Sequence, residues 1–399
     1  MSHQAATPFG AVGSASHKRM GALLAALRAE FADIRGRVLA EDVERISHAL
    51  TRKRGSTVRG EYLSSPGARR AYFAHFFPWN IYRLLLAWDL SWPFENIEVP
   101  DPVIEDWGAG PLTALFAAWV REGNALRGTW RCWDREADVL AWGADLAKRL
   151  GVTDTITLET HAEDVNLQRH AVQLRPADLI VVANALNEWL PARGRSKRDM
   201  VAICKRFMAA IAAKGQLFVI EPANRVVSHG VMTLREEMVR AGFVIHAPCT
   251  HLRRCPLLDP RLRSWCHFRM PVTVHPEHEP LLAATGFRRQ EISFSWLHGQ
   301  IGVALPSEKR RVAVVMSDAM ETGGGQWADA HADGGQWADA HAGGGQRRSI
   351  YACASEGRVV LEVKNDIPVQ GSNVEYRIER PFKRDSRGSW KGRITRPRH

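Results

Sequence analysis

An α/β fold, with a mostly parallel sheet layered by helices over 96–300, is the class this sequence predicts. A helical region over 1–95 precedes it and a basic, β-rich region over 301–399 follows it. Three observations carry that expectation. Apolar residues recur three or four apart before residue 50. Short apolar runs alternate with helical segments from Val103 to Pro222. Brief strand-like runs separated by polar turns then occupy the last ninety residues.

In the first region, Leu23, Leu24, Leu27, Phe31, Ile34, Val38, Leu39, Val43 and Ile46 fall at helical spacing. A second apolar and aromatic segment, "AYFAHFFPWNIYRLLLAWDL", runs from 71 to 90. Pro78 interrupts it, which predicts two helices or a kinked one. Periodicity of this kind marks core, so no chemistry is assigned to it.

In the central region, the strand candidates are "VIEDWGAG" (103–110), "TWRCWD" (129–134), "TITLET" (155–160), "ADLIVVAN" (177–184) and "GQLFVIEP" (215–222). Strands alternating with helices read as βαβ units, whose ligands bind at the carboxyl ends of the strands. The first candidate ends in Asp106-Trp107-Gly108-Ala109-Gly110. The two glycines allow a tight turn and close approach of backbone to a ligand, and Pro111 is expected to open the next helix. The second strand ends in Asp134, where a carboxylate can accept hydrogen bonds from a ribose. Two ligands fit: a dinucleotide, whose third glycine is replaced by Thr113, and S-adenosylmethionine (SAM), whose G-x-G-x-G loop is here interrupted by Leu112. An acid before the loop and a second acid closing strand two favour SAM, and Leu112 predicts weakened affinity. Asn184, Asn187 and Glu188, just past strand four, lie where a target would be held, and Asn184 joins the candidate cofactor residues. No catalytic residue is assigned.

The chain has 399 residues and a net charge of +11, a balance that favours a polyanionic partner. It holds no run of eighteen apolar residues, so no membrane span is expected. The N-terminal stretch has no apolar signal segment, which predicts a cytoplasmic protein. Its serines and lack of acids leave a mitochondrial matrix protein as the alternative. From Tyr376 to His399 there are nine Lys and Arg against two acids, with Trp390 among them. Aromatic rings and guanidinium planes both stack on bases, so this tail is read as an RNA contact.

The elements "DWGAGPLTA", "VVANALNEWLP", "IEP", a Cys-x5-Cys-Pro-Leu segment and "WCHF" resemble the methyltransferase-like proteins of the mitochondrial small ribosomal subunit, a family with bacterial members. The resemblance spans roughly residues 70–390. It implies a Rossmann-like SAM-methyltransferase fold, association with small-subunit RNA and proteins, and a four-cysteine 4Fe–4S site. The chain has only six cysteines, and Cys249, Cys255 and Cys266 fall within eighteen residues. Without export, clustered thiols read as metal ligands. Three thiolates need a fourth ligand, and Cys353 is the best candidate. Cys132 in a strand and Cys204 on an amphipathic helix read as buried small hydrophobes. Spacers of five and ten fit structural zinc poorly, since zinc pairs are usually two to four apart. A 4Fe–4S cluster is favoured, with zinc as the alternative.

The cysteine loop, 246–270, also carries Arg253, Arg254, Arg261 and Arg263, a second basic segment for RNA. A low-complexity loop over 323–346 repeats GGQWADAHA twice and reads as a surface insertion. The expected function is therefore a ribosome-associated, SAM-methyltransferase-like protein of assembly or translation. The competing class is a small-molecule or RNA methyltransferase with a structural zinc site, and a third reading is an NAD-dependent enzyme.

Overall fold

The computed structural model describes residues 13–52, 63, 65–95, 97–163, 175–189, 197–260, 264–303, 312–316, 320–321, 348–354, 357–363, 370, 373–378 and 390–398. The 323–346 repeat, Arg261 and Arg263 lie outside them. Two compact units result. One comprises residues 1–248 and 257–306; the other comprises 249–256 and 307–399.

In the first unit, helix α1 (Ala15–Glu30) starts where the Ser14 side chain accepts the His17 N–H, and it buries Met20, Leu23, Leu24 and Leu27. Helix α2 spans Gly36–Arg52. The segment around Pro78 is one helical run rather than two separate helices. Helix α3 (Pro66–Ala71) passes through a π-helical turn at Tyr72–Phe76 into α4 (Phe77–Leu90). Pro78 falls in the first turn of α4, where a missing N–H costs nothing. Every residue of α4 from Phe77 to Trp88 is buried, as expected of a helix that is apolar nearly all round. It packs against helix α5 (Thr113–Glu122). Phe73 of the π turn stacks on Trp142, ring centroids 3.9 Å apart, which joins the N-terminal helices to the rest of the unit.

The sheet strands are β1 (Val103–Trp107), β2 (Thr129–Asp134), β3 (Thr157–Ala162), β4 (Ala177–Ala183), β5 (Ile211–Pro222), β6 (Val244–Ala247), β7 (Phe268–Pro271) and β8 (Glu291–Gln300). Their order is β3-β2-β1-β4-β5-β8-β6, with β7 added beside β8. Strands β1 to β5 pair in parallel, and β8 runs antiparallel to β5, β6 and β7. Helices α6 (Ala137–Arg149), α7 (Leu186–Trp189), α8 (Lys197–Ala210), α9 (Arg225–Arg240) and α10 (Glu279–Thr285) complete it. This is the expected Rossmann-like methyltransferase fold, a parallel sheet with one reversed strand near its edge. The order reverses between β1 and β4, so the carboxyl ends of these two strands form the crevice where such sheets bind ligands.

The second unit contains β9 (Val312–Val315), β10 (Met320–Glu321), β11 (Arg348–Ala354), β12 (Gly357–Val363), β13 (Asn373–Ile378) and β14 (Trp390–Arg398). Five of them close on themselves: β9 pairs β11, β11 pairs β12, β12 pairs β14, β14 pairs β13, and β13 pairs β9. The ring is antiparallel except for β12 with β14. Numbered by sequence within the ring, its order is 1-2-3-5-4, the five-stranded barrel of an OB-fold. Ala313, Val314, Val315, Ala352, Cys353, Ala354, Val359, Leu361 and Val374 are the buried apolar residues of its described strands. The basic C-terminal segment is not the expected tail: Trp390–Arg398 is a strand of the barrel. Its backbone pairs on both sides, and that pairing outweighs the low strand propensity of Lys, Gly and Pro.

Candidate cofactor-binding site

The turn after β1 sits at the switch point. Gly108 and Gly110 have φ of 77° and 53°, the left-handed region that glycine enters without cost. A Cβ on Gly108 would lie 2.3 Å from that of Ala185, so the turn after β1 touches the turn after β4. The Gly108 and Ala109 N–H groups donate to the Trp133 carbonyl at 2.8 and 2.9 Å, which ties the turn to the end of β2.

Two expectations change at Pro111 and Leu112. Pro111 lies in the turn, and α5 begins two residues later at Thr113. The Leu112 and Thr113 N–H groups both donate to the Ala109 carbonyl, and this tight turn delays the helix. Leu112 itself adopts φ 63°, ψ 42°. It therefore keeps the left-handed conformation of the glycine it replaces, at a backbone cost of roughly 1–2 kcal/mol. Its side chain is fully buried and packs where a Cβ on Gly143 of α6 would meet it, which offsets that cost. The loop has lost a glycine but not the turn.

Asp106 lies in β1, which is buried along its whole length, and neither carboxylate oxygen makes a well-formed hydrogen bond among the described residues. Burial, then the nearby Asp134 carboxylate, pushes its pKa up to about 8, and the Ala114 N–H gives only partial relief. A buried carboxylate in this state suits a cationic ligand group. Asp134 is better served. Its Oδ2 accepts the Gly110 N–H at 2.8 Å and its Oδ1 the Glu136 N–H at 3.0 Å. Burial still raises its pKa. Carboxylate oxygens each accept more than one hydrogen bond, so both retain capacity for ribose hydroxyls.

Asn184 follows β4 with φ 63°, a conformation that asparagine tolerates better than most residues. Its N–H donates to the Ile220 carbonyl. Glu221, at the end of β5, holds the turn beyond it. Glu221 Oε1 accepts the Leu186 N–H at 2.7 Å and Oε2 accepts Asn187 Nδ2 at 3.0 Å. Glu188 pairs with Arg135 at 3.2 Å. Thus Asp106, Gly108, Gly110, Asp134 and Asn184 are brought to one edge of the sheet.

Residues that the sequence reading passed over complete this edge. Arg83 of α4 donates to Asn184 Oδ1 at 2.8 Å and also to Asn80 Oδ1. Asn80 Nδ2 donates to Tyr72 Oη at 3.3 Å, and that oxygen lies 4.0 Å from where a Cβ on Gly110 would stand. Burial, then Glu188 and Asp134, raises the Tyr72 pKa. The signal for these residues was faint: a few polar side chains scattered through a mostly apolar helical segment.

The cysteines are distributed differently. None of the six forms a disulfide. Cys132 and Cys204 are buried, as expected, in β2 and α8. Cys249 and Cys255 belong to the same compact unit as Cys353, which lies in β11 opposite Arg358 of β12 and Val314 of β9. Cys266 belongs to the first unit, where its N–H meets Met232 Sδ and its carbonyl accepts Ser295 Oγ at 2.8 Å. Among the described residues, no group of three or more His, Cys, Asp or Glu is gathered as a metal site, and no helix is long and apolar enough to cross a membrane.

Solved structures similar to this chain include a ribosomal RNA methylase from Streptococcus thermophilus (8% identity, 55% of this chain and 95% of that one, TM-score 0.32). A ribosomal protein L11 methylase from Lactobacillus delbrueckii subsp. bulgaricus is another (11%, 53% and 75%, TM-score 0.29). A third is a precorrin-6y C5,15-methyltransferase from Geobacter metallireducens (12%, 55% and 87%, TM-score 0.31). Similarity at this level says nothing of substrate. No curated protein matches the sequence. The family described as "Mitochondrial small ribosomal subunit Rsm22" matches residues 104–320, more than half of the chain, and the protein belongs to that family.

Proposed function

We propose that this protein binds SAM at the β1–β4 edge and acts on the small ribosomal subunit or its precursor, methylating ribosomal RNA or protein. The observation that carries the reading is the intact left-handed turn at Gly108–Leu112 between two acids, the buried Asp106 and the half-buried Asp134. The residues fit the cofactor. Asp106 would supply a buried carboxyl that a cationic group would draw into its ionised form, Asp134 would accept from ribose hydroxyls, and the glycine turn would admit close approach. When bound, SAM supplies an electrophilic methyl group on a sulfonium, and the protein's part is to position the acceptor and exclude water.

Family membership supports the ribosomal partner. The barrel supports an RNA contact, because five-stranded barrels of this order are a recurrent platform for oligonucleotides. Exposed Arg253 and Arg254 add basic surface to the same unit. Cys249, Cys255, Cys266 and Cys353 are the ligands of the 4Fe–4S cluster in this reading. All four donors are thiols, the set such clusters take, and three of them share one compact unit. The family's description points to a mitochondrial setting, the alternative to the cytoplasmic one.

Co-sedimentation with small subunits, and filter binding to their RNA at several salt concentrations, test the partner. Counterion release makes affinity fall steeply with salt, and changing Arg253 and Arg254 together to alanine flattens that slope by about one unit or more. A folded, cluster-loaded protein that ignores both subunits and RNA contradicts the ribosomal reading and leaves a small-molecule methyltransferase.

A further inference from the structure

Trp189 closes α7, the four-residue helix that follows β4. A helix so short has no stability of its own, yet the ends of three strands hold this one. The Leu186 N–H and Asn187 Nδ2 donate to Glu221 of β5. Asn187 Nδ2 also donates to the Asn184 carbonyl after β4, and Glu188 pairs with Arg135, the residue after β2. These ties fix the place of a half-buried tryptophan. A carbon of its six-membered ring lies 4.0 Å from where a Cβ on Gly108 would stand. Its indole is tilted by 57° against that of the buried Trp107, ring centroids 6.4 Å apart, and Trp107 packs in turn on Phe207 of α8. One part of the Trp189 ring is therefore seated and the rest meets solvent beside the crevice. The turn after β1 thus carries an aromatic ring at each end, Trp189 at Gly108 and Tyr72 at Gly110.

A large ring left partly in water at the mouth of a ligand crevice gains most from a planar partner. Two kinds of acceptor could reach it. A lysine or an amino terminus would arrive as a cation, and an ammonium has no lone pair to methylate. The carboxylate beside Trp189 in sequence, Glu188, is paired with Arg135, which leaves the surroundings of the ring poorly suited to draw in a cation. A nucleobase is planar, uncharged and rich in lone pairs, and it stacks on tryptophan whatever its sequence. The net charge of +11 attracts RNA through its phosphates. Phosphate contacts cannot select an acceptor atom, whereas a stacked base is held with one edge at the turn. We propose that Trp189 is the platform on which the acceptor base of an RNA stacks beside the cofactor turn. The substrate class of this site is then RNA rather than ribosomal protein. The assignment deepens the SAM and ribosome reading above and rests on it.

The test uses the full chain saturated with S-adenosylhomocysteine and a short uridine RNA that carries one 4-thiouridine. Ultraviolet crosslinking followed by peptide mapping should place adducts on residues 186–189. Trp189→Leu should weaken filter binding of the same RNA about 10–100-fold, the worth of one stacked base. Its salt slope should stay that of wild type, because a stacking contact releases no counterion. Trp189→Phe should keep most of the affinity. Calorimetry on the same variants should show a much smaller loss for S-adenosylhomocysteine. Equal losses for RNA and for S-adenosylhomocysteine would make Trp189 a prop for the turn and overturn the assignment. Adducts confined to other segments, or a leucine variant that binds RNA as wild type does, would overturn it too and favour a protein or small-molecule acceptor. The wild-type adduct map decides the matter even where the leucine variant fails to fold. Wild type that takes up no S-adenosylhomocysteine overturns the SAM reading itself, and the assignment with it.

Discussion

The Asp106–Thr113 turn and the Cys249–Cys266 segment both stand out as short, chemistry-bearing stretches, and the fold treats them in opposite ways. The turn is made from its own residues. Its glycines, the strand before it and the helix after it are contiguous, and the distant residues that accept its N–H groups, Trp133 and Asp134, close the neighbouring strand. Local sterics and a single strand pairing fix the geometry. The cysteine segment is divided, with Cys249 and Cys255 in one compact unit and Cys266 in the other, and its fourth candidate lies in β11. No local rule can bring those thiols together. A motif whose parts are contiguous is self-supporting, whereas one drawn from segments far apart in sequence would depend on a bound metal.

That contrast predicts where substitution will cost most. Cys353→Ser should have the largest effect, because structural metal sites can contribute on the order of 10 kcal/mol and a lost ligand forfeits much of it. Anaerobically purified variant should lose most of its iron and acid-labile sulfide and melt well below wild type, while Cys204→Ser should keep both. Stoichiometric zinc without sulfide in wild type would replace the cluster with the alternative metal. Equal iron in both variants would remove Cys353 from the ligand set.

Gly108→Ala should come next. The new Cβ would lie 2.3 Å from that of Ala185 at a φ of 77°. Overpacking and left-handed strain together cost about 3 kcal/mol. Urea unfolding should show that loss, and cofactor binding should fall with it. A variant as stable as wild type would mean that the two turns do not touch.

Asp106→Asn should act in the other direction on stability. Its carboxyl holds a proton up to about pH 8 in the fold and only to about pH 3.9 in the unfolded chain. The unfolded state therefore releases its proton first, and the fold loses stability as pH rises from about 4 to about 8. The amide removes that dependence. It should stabilise the ligand-free chain by about 1–3 kcal/mol at pH 7, with the difference vanishing near pH 4. The same variant should bind SAM more weakly. A wild-type stability that does not differ from the variant's across this range would show that Asp106 is ordinarily ionised.

The same contrast explains what was legible in the sequence. Asp106, Gly108, Gly110 and Asp134 could be read because each follows directly from a strand end. The conformation of Leu112 was not legible, because residue type does not report φ; its φ of 63° shows that a buried leucine can stand in a glycine's place. Tyr72, Asn80 and Arg83 were hidden because they reach the site from twenty or more residues upstream of β1, inside a segment whose apolar character dominates its pattern. Trp390–Arg398 read as a tail because its charge obscured a strand that only the barrel's pairings reveal.

The most direct test of the central claim, that this fold still binds SAM through the turn after β1, is calorimetric titration of the full chain with S-adenosylhomocysteine, wild type beside Asp134→Ala. The account predicts saturable one-site binding in wild type. It also predicts a loss of about 1–3 kcal/mol in the variant, the worth of hydrogen bonds to a charged group. An absence of binding at millimolar ligand, or a variant that binds as well as wild type, would contradict it.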